Sequence, residues 1–371
     1  MTNLQKLAEI KNALNAKYFE REKEVEAILI ALISRQHMLM IGPPGTGKSA
    51  LAADIAKIVT GMNHFQWLLT RFSTPEELFG PLSLKDLEQG VYKRNTANKL
   101  PEAHITFLDE IFKANSAILN SLLTLINERK FYNNGHPVQV PLMSVIGSSN
   151  EYPEEGEGLE ALFDSFLLRS EVDYVADDNN FIAMLQDSGN QPLPSTDIQE
   201  LMNLQFFSEM VSIPPEVYQK LAEIRMELRN EGIFPSDRRF KQSLSVLKAK
   251  ALVEQRQHVL VNDIVFLENA LWETPDQKDL TVKIVRSLAQ DTVLRSIDQA
   301  RQETKEIQAM LKQNPSTEGS LEATKKLKII VNELNALKTK NPGREQQIDE
   351  AIKEVTAIQN EIVGSILDPI V

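Results

Sequence analysis

Three short stretches of this chain combine the residue types and the spacing that phosphate chemistry requires. The first reads Met38-Leu39-Met40-Ile41-Gly42-Pro43-Pro44-Gly45-Thr46-Gly47-Lys48-Ser49-Ala50. A short apolar run enters a glycine-rich turn ending in Gly-Lys-Ser, and an Ala- and Leu-rich helical pattern follows to about Val59. Strand, G-x-x-x-x-G-K-[ST] and helix, in that order, is the setting of a phosphate-binding loop. Glycines at 42, 45 and 47 let backbone N–H groups turn inward, where a side chain would block a phosphate. The N-terminus of the following helix adds partial positive charge at the same point. Lys48 is suited to the β- and γ-phosphates, and the Ser49 hydroxyl to Mg²⁺. The expected ligand is ATP with Mg²⁺, cradled by Gly42, Pro43, Pro44, Gly45, Thr46, Gly47, Lys48, Ser49 and Ala50.

The second stretch, Ile105-Thr106-Phe107-Leu108-Asp109-Glu110, is an apolar strand ending in two carboxylates. Asp109 is expected to hold Mg²⁺ through water, as a Walker B aspartate does. Glu110 is expected to be the base that polarises an attacking water. The third, Val145-Ile146-Gly147-Ser148-Ser149-Asn150-Glu151, is a strand ending in small polar residues. Asn150 at its tip is suited to hydrogen-bond the lytic water or the γ-phosphate, the place and residue type of a sensor 1. An acidic strand end or a terminal Asn means little alone, because both are common turn features. Their order after the loop gives them weight.

Positioning these tips is a task for a parallel sheet. From residue 38 to about 175, short apolar runs alternate with helical patterns, with candidate strands at 65–69, 105–108, 138–146 and 171–175. That alternation argues a mostly parallel sheet with helices on both faces, whose strand ends form the ligand crevice. Residues 1–36 read as one or two helices, with Leu4, Leu7, Ile10 and Leu14 on one face. The segment 187–196, with Gly189, Pro192 and Pro194, marks a boundary. Residues 197–275 read as helices only, broken at Pro214-Pro215 and 232–237.

After residue 275 the chain is rich in Lys, Glu and Gln. One stripe is Leu327, Ile330, Leu334 and Leu337, and another is Ile348, Ile352, Val355, Ile362 and Ile366, separated at Asn341-Pro342-Gly343. They predict an antiparallel helical hairpin, with a third helix over about 282–311 and a loop over 313–319. This region serves either as a bundle that buries apolar area or as a module that recruits a partner. The division is an α/β domain at 1–186, an all-α domain at 187–275 and a helical hairpin or bundle at 276–371.

Composition narrows the function. The 371 residues carry 42% hydrophobic and 25% charged residues, an ordinary globular balance. The net charge of −12 disfavours nucleic acid and anionic lipid as partners. There is no cysteine, so disulfide and thiol chemistry are excluded, in keeping with a reducing cytoplasm. Residues 1–26 lack the continuous apolar core of a signal peptide. No apolar run approaches the length of a transmembrane segment. Histidines 37, 64, 104, 136 and 258 lack metal-ligand spacing.

The chain resembles MoxR-family AAA+ ATPases, and within them the RavA branch. The likeness runs through Thr70-Arg71-Phe72-Ser73-Thr74-Pro75-Glu76-Glu77-Leu78-Phe79-Gly80-Pro81-Leu82, Leu100-Pro101-Glu102-Ala103 and Phe107-Leu108-Asp109-Glu110-Ile111-Phe112-Lys113-Ala114. It continues in Ile118-Leu119-Asn120-Ser121-Leu122-Leu123, Ile126-Asn127-Glu128-Arg129, Ser149-Asn150-Glu151, Leu159-Glu160-Ala161-Leu162 and Ser236-Asp237-Arg238-Arg239. It covers about residues 15–275. The resemblance implies an α/β P-loop NTPase (AAA+) core with an all-α lid. It also implies a ring, usually a hexamer, with nucleotide between subunits, remodelling protein clients with a von Willebrand factor A domain partner. It places a sensor 2 arginine at Arg238 or Arg239, where a guanidinium near the γ-phosphate would stabilise charge.

One departure stands out. The family often has Asp-Arg-Phe after Leu-Glu-Ala-Leu, whereas this chain reads Asp164-Ser165-Phe166-Leu167-Leu168-Arg169. A serine cannot stabilise a transferring phosphoryl group as an arginine does. Arg169, four residues on, or Arg129 is then the expected arginine finger. Tyr18 or Phe19 is a candidate to stack on the base. The leading expectation is an ATP-hydrolysing oligomeric remodeler. The competing one is a nucleotide-gated scaffold with slow or partner-dependent hydrolysis, towards which Ser165 leans. A small-molecule kinase shares the loop, but nothing here resembles an acceptor site, and a DNA helicase or clamp loader suits the acidic balance poorly.

Overall fold

The computed structural model describes residues 3–153, 156, 158–187, 192–313 and 317–367. These residues part into two compact units, 1–288 and 289–371.

The first unit opens with α1 (Asn3–Lys17) and α2 (Glu22–Ser34). Leu7, Ile10 and Leu14 form the buried stripe of α1, while α2 is buried nearly all round from Val25 to Ile33. The α/β elements follow: β1 (Met38–Ile41), α3 (Lys48–Ile58), β2 (Val59–Thr60), β3 (His64–Leu68), α4 (Pro75–Phe79), α5 (Leu84–Leu87) and β4 (Ile105–Asp109). Then come α6 (Ser116–Glu128), β5 (Lys130–Asn133), β6 (His136–Gln139), β7 (Ser144–Ser149), α7 (Glu160–Asp164), β8 (Leu168–Glu171) and α8 (Asp178–Gln186). The helical part holds β9 (Thr196–Asp197), which pairs with β2, then α9 (Ile198–Met210), α10 (Pro215–Asn230), α11 (Asp237–Val253) and α12 (Lys278–Ala289).

The central sheet is parallel, in the order β3-β4-β7-β1-β8. β1 and β7 are buried on both faces, as expected for inner strands of a covered parallel sheet. Because β4, β7 and β1 are neighbours, their C-terminal ends bring Asp109, Asn150 and Gly42 to one edge. A doubly wound sheet binds its ligand at that edge.

The second unit is α13 (Thr292–Gln313), α14 (Thr317–Lys340) and α15 (Glu345–Leu367). Its core joins Val293, Ile297 and Ala300 of α13 with Leu327, Ile330 and Leu334 of α14 and Ile348, Ala351 and Val355 of α15. Leu327, Ile330, Leu334 and Leu337 of the first predicted stripe thus face Ile348, Ile352, Val355 and Ile362 of the second across the Asn341-Pro342-Gly343 turn, while the side chain of Ile366 lies outside the described residues.

Four expectations need correction. The strand placed at 171–175 lies at Leu168–Glu171, so Arg169 is inside the sheet. The apolar run 138–146 is two elements, broken at Pro141: β6 pairs antiparallel with β5, and β7 joins the main sheet. The single helix over 282–311 is α12 and α13, separated at Gln290-Asp291. That break is capped, since Asp291 Oδ1 accepts from the Val293 and Leu294 amides. Of the loop at 313–319, Gln313 closes α13 and residues 317–319 open α14, while 314–316 lie outside the described residues. Of the boundary at 187–196, residues 188–191 also lie outside them.

Candidate active site

The loop after β1 is shaped by close backbone approach. Gly42 N–H donates to Ser149 O (3.1 Å) and Val172 N–H to Ile41 O (2.8 Å). A Cβ on Gly42 would sit 1.9 Å from Val172 O, so no other residue fits there. Gly45 and Gly47 have space around them but left-handed φ values of 82° and 84°, which glycine adopts without strain. Gly47 is the N-cap of α3, so the loop delivers its amides at a helix N-terminus. Lys48, only 7% exposed, folds back over the loop, and its Nζ donates to Gly42 O (2.6 Å) and Pro43 O (2.8 Å). Burial lowers its pKa, opposed by the nearby Asp109 and Glu110 carboxylates.

The carboxylates meet this loop from the next strands. Ser49 Oγ donates to Asp109 Oδ2 (3.1 Å), Ser148 Oγ donates to Asp109 Oδ1, and the Glu110 amide donates to Asp109 Oδ1 (3.1 Å). Asn150 bridges the two halves: its Oδ1 accepts from Lys48 Nζ (3.4 Å) and its Nδ2 donates to Glu110 Oε1. Glu110 itself sits at φ 53°, an uncommon conformation for a non-glycine residue and one that recurs at functional sites. Together, residues 44–50, Leu68, Asp109, Glu110 and Asn150 line a cleft of about 400 Å³. Ser49 and Asp109 offer only oxygen donors, which suits Mg²⁺. Two protein ligands are few, which suits an ion that keeps waters and shares phosphate oxygens. Glycine-bounded amides at a helix N-terminus with a buried lysine suit a triphosphate.

Arg21 belongs to this site and was not foreseen. It is 8% exposed, and its Nε donates to Thr46 O in the loop (3.3 Å) while its Nη2 donates to Asp173 O beyond β8. An arginine between two amphipathic helices carries no sequence signature for that role. Tyr18 turns to α3, its hydroxyl donating to Asp54 Oδ2 (2.7 Å), and neither Tyr18 nor Phe19 lines the phosphate cleft.

None of the predicted arginines lines it either. Arg169, 3% exposed, lies between the Phe163 and Trp272 rings, with its guanidinium carbon 4.0 and 4.7 Å from their centroids. It donates to Trp272 O and Phe163 O. Burial, then the neighbouring Arg239, lowers its pKa. A guanidinium sealed in this way has no face for a phosphate on another subunit, which removes Arg169 as a finger. Arg239, 2% exposed, donates to Ala270 O (2.6 Å) and Asp164 (2.9 Å to O, 2.5 Å to Oδ1), fastening α11 to α7. The helix phase decides this, because Ser236 caps α11 by accepting from the Arg239 amide, turning Arg239 inward and Arg238 outward.

Arg238 instead joins a cluster at the other end of the sheet. Its Nη2 donates to Asn127 Oδ1 (2.7 Å), and Asn127 Nδ2 donates to Ser165 Oγ (3.1 Å), the position where the family often has arginine. Arg129, at the C-terminus of α6, donates to Arg35 O (2.8 Å) and Met143 O (3.3 Å) and contacts His37. Burial, then Arg35 and Arg238, push the Arg129 pKa down to about 10. Among the described residues no carboxylate pairs with Arg35, Arg129 or Arg238. His37 and Met143 precede β1 and β7, so this cluster and the phosphate loop are separated by a strand about 13 Å long.

Comparison with known proteins places the chain in a family. Residues 5–204 match the model for the MoxR domain in the MoxR-vWA-beta-propeller ternary systems, and residues 216–285 match an AAA lid domain. The chain belongs to the MoxR family. Its AAA+ core is the parallel sheet with the phosphate loop, and its lid match lies across α10 to α12. An uncharacterised Methanocaldococcus jannaschii protein is 34% identical, covering 97% of this chain and 98% of its own. The chaperone MoxR1 of Mycobacterium tuberculosis is 27% identical over 42% of this chain and 41% of its own. The crystal structure of an ATPase candidate from Cytophaga hutchinsonii superposes with a TM-score of 0.63 at 17% identity, covering 77% of this MoxR chain and 94% of that one. Among the described residues no helix is long and apolar enough to cross a membrane.

Proposed function

We propose that this MoxR protein binds ATP with Mg²⁺ in the cleft at the strand tips and hydrolyses it in a ring of copies, to remodel a protein client. The observation that carries this reading is the Asn150 side chain, which touches both the phosphate-loop lysine and Glu110. In the proposed reaction, water attacks the γ-phosphorus while Glu110 takes its proton, and ADP leaves. Asn150 orients Glu110 and the water, Lys48 opposes charge on the β- and γ-oxygens, and loop amides hold the phosphates. Ser49 and, through water, Asp109 would hold Mg²⁺, which would supply charge neutralisation to the phosphates.

Phosphoryl transfer of this kind draws on an arginine, and the cleft has none among its lining residues. We assign that role to Arg238 of an adjacent copy, supported by Arg35 and Arg129. Three guanidiniums without a carboxylate ion pair among the described residues favour an anion. The Asn127–Ser165 link also sets Arg238 beside the family's usual finger position. This is what makes a ring, with a hexamer the family's usual form, part of the reading. We take residues 187–275 as a lid on the α/β part at 1–186, and the lid match through residue 285 favours counting α12 with it. The matched model's description supports a von Willebrand factor A domain partner, and the chaperone relative supports a remodelling role. The motif blocks at 70–129 favour a branch near RavA, and the lack of cysteine favours a cytoplasmic setting.

The test is steady-state ATP hydrolysis per subunit across a wide protein concentration range, with Glu110→Gln as control. The reading expects a rate that climbs cooperatively and falls by about 10²-fold or more in the control. ATP binding with negligible turnover at every concentration would instead favour a nucleotide-gated scaffold, the reading towards which Ser165 leans.

A further inference from the structure

The second unit carries a groove that nucleotide chemistry does not use. It runs between α13 and α14 as two contiguous hollows of about 320 and 280 Å³, which share Glu303, Ile330 and Glu333. Ser296 and Lys340 mark one end, and Met310 and Lys326 the other, so the two helices run antiparallel along it. Each wall spans fifteen residues, 296–310 and 326–340, whose rises between the end residues give a length of about 21 Å, or about four helical turns. Wall residues recur every three to four positions, the pattern of a helix-accepting seam. Among the described residues none of α15 lines it.

The floor is apolar where it should be polar if it only met water. Met310 is 66% and Ile329 55% exposed, beside the buried Ala300, Ile330 and Leu334. The rim is acidic at its centre. Glu303 and Glu306 accept only from glutamine amides of their own helix (2.9 and 3.1 Å), and none of Glu303, Glu306 and Glu333 has an ion pair among the described residues. Of the two lysines lining the groove, Lys326 is paired with Glu322 (2.9 Å) and Lys340 stands at one end.

We propose that this groove docks an amphipathic helix of a partner protein, about four turns long, with an aliphatic stripe flanked by lysine or arginine. The aliphatic stripe covers Met310 and Ile329, and the basic flanks meet the three unpaired carboxylates. A second copy of the groove fits poorly, since a two-fold contact would set carboxylates against carboxylates. An anionic membrane or nucleic acid is repelled by the same rim.

The probe is a fluorescein-labelled 18-residue leucine–lysine peptide, with leucines at i, i+3, i+4 and i+7, titrated into the full chain and followed by anisotropy. The same peptide with glutamate for lysine is the control. Saturable one-to-one binding of the basic peptide is expected, with no binding of the acidic one. The triple variant Glu303→Lys, Glu306→Lys, Glu333→Lys should weaken binding at least tenfold. So should Met310→Lys with Ile329→Lys, at exposed positions whose change keeps the fold, checked by unchanged helical circular dichroism and thermal unfolding of the full chain. Equal affinity for wild type and both variants, or no binding to wild type, overturns the proposal. Self-association of the wild type that the Met310/Ile329 variant abolishes and the peptide cannot displace also overturns it, because the occupant is then a second copy.

Discussion

The two ends of the central sheet are built oppositely. At the C-terminal ends of β1, β4 and β7, two carboxylates and a lysine converge on a glycine loop, where side-chain hydrogen bonds link Lys48 to Asn150, Asn150 to Glu110 and Ser49 to Asp109. At the N-terminal ends, Arg129 and Arg238 act on the buried His37 and Arg35 on Arg129, and none of the three arginines has a carboxylate ion pair among the described residues. One end has a phosphate-binding loop and a base, but its Arg21 is spent on backbone carbonyls and no arginine lines the cleft, while the other has arginines without paired carboxylates. Under the proposed function, the two ends are halves of one site that meet only when different copies of the chain pack together.

The strongest attempt to break this comparison is Arg238→Ala. Turnover should fall by about 10³-fold while ATP affinity changes only a few-fold. A wild-type rate, measured by phosphate release, would leave the arginine end without a catalytic part. Within the phosphate end, Asn150→Ala should lower turnover by about 10²-fold by freeing Glu110, with nucleotide binding retained in an equilibrium titration.

Arg169→Ala sharpens the contrast from the other side. It should cost about 2–3 kcal/mol of stability, read as a lower Tm, by orphaning Trp272 O and Phe163 O and opening a void under two rings. Turnover per folded subunit should stay within about twofold. Loss of turnover without loss of Tm would restore it as a finger.

The smallest effect is on pH. Burial, then Arg129, holds the His37 pKa far below 6.5, and its Nδ1 accepts from the Val145 amide (2.9 Å), so the folded ring is neutral. Above pH 6.5 both folded and unfolded states are unprotonated and His37 contributes no pH dependence. As pH falls below 6.5 only the unfolded state gains the proton. Denaturant unfolding should therefore show stability dropping by up to about 1.4 kcal/mol per pH unit between 6.5 and 5 from this residue. His37→Gln should flatten that slope.

The phosphate end was legible because its chemistry is local. A strand, a turn and the first turn of a helix sit within a dozen residues, and each carboxylate or amide closes its own strand. The arginine end was not. Nor was the strand at Leu168–Glu171, which the sequence places at 171–175 because a charged Arg169 inside a parallel strand contradicts its apolar pattern. Only the rings of Phe163 and Trp272, the latter 103 residues away, make that burial tolerable. Likewise, which of Arg238 and Arg239 faces outward depends on the phase of α11 set by the Ser236 cap, and Arg21 meets Thr46 through a contact no spacing announces. Helix stripes of the second unit were readable because heptad-like spacing survives without tertiary knowledge. The break at Gln290-Asp291 rests on one capping carboxylate that the helical pattern hides.

The most direct test mixes two inactive chains. Lys48→Ala removes the phosphate end and leaves Arg238, and Arg238→Ala does the reverse. If the site is divided between copies, the mixture should hydrolyse ATP well above the sum of the two alone, because some interfaces pair an intact cleft with an intact arginine. A mixture no faster than that sum, with co-assembly of the two chains confirmed by mass, would contradict the division.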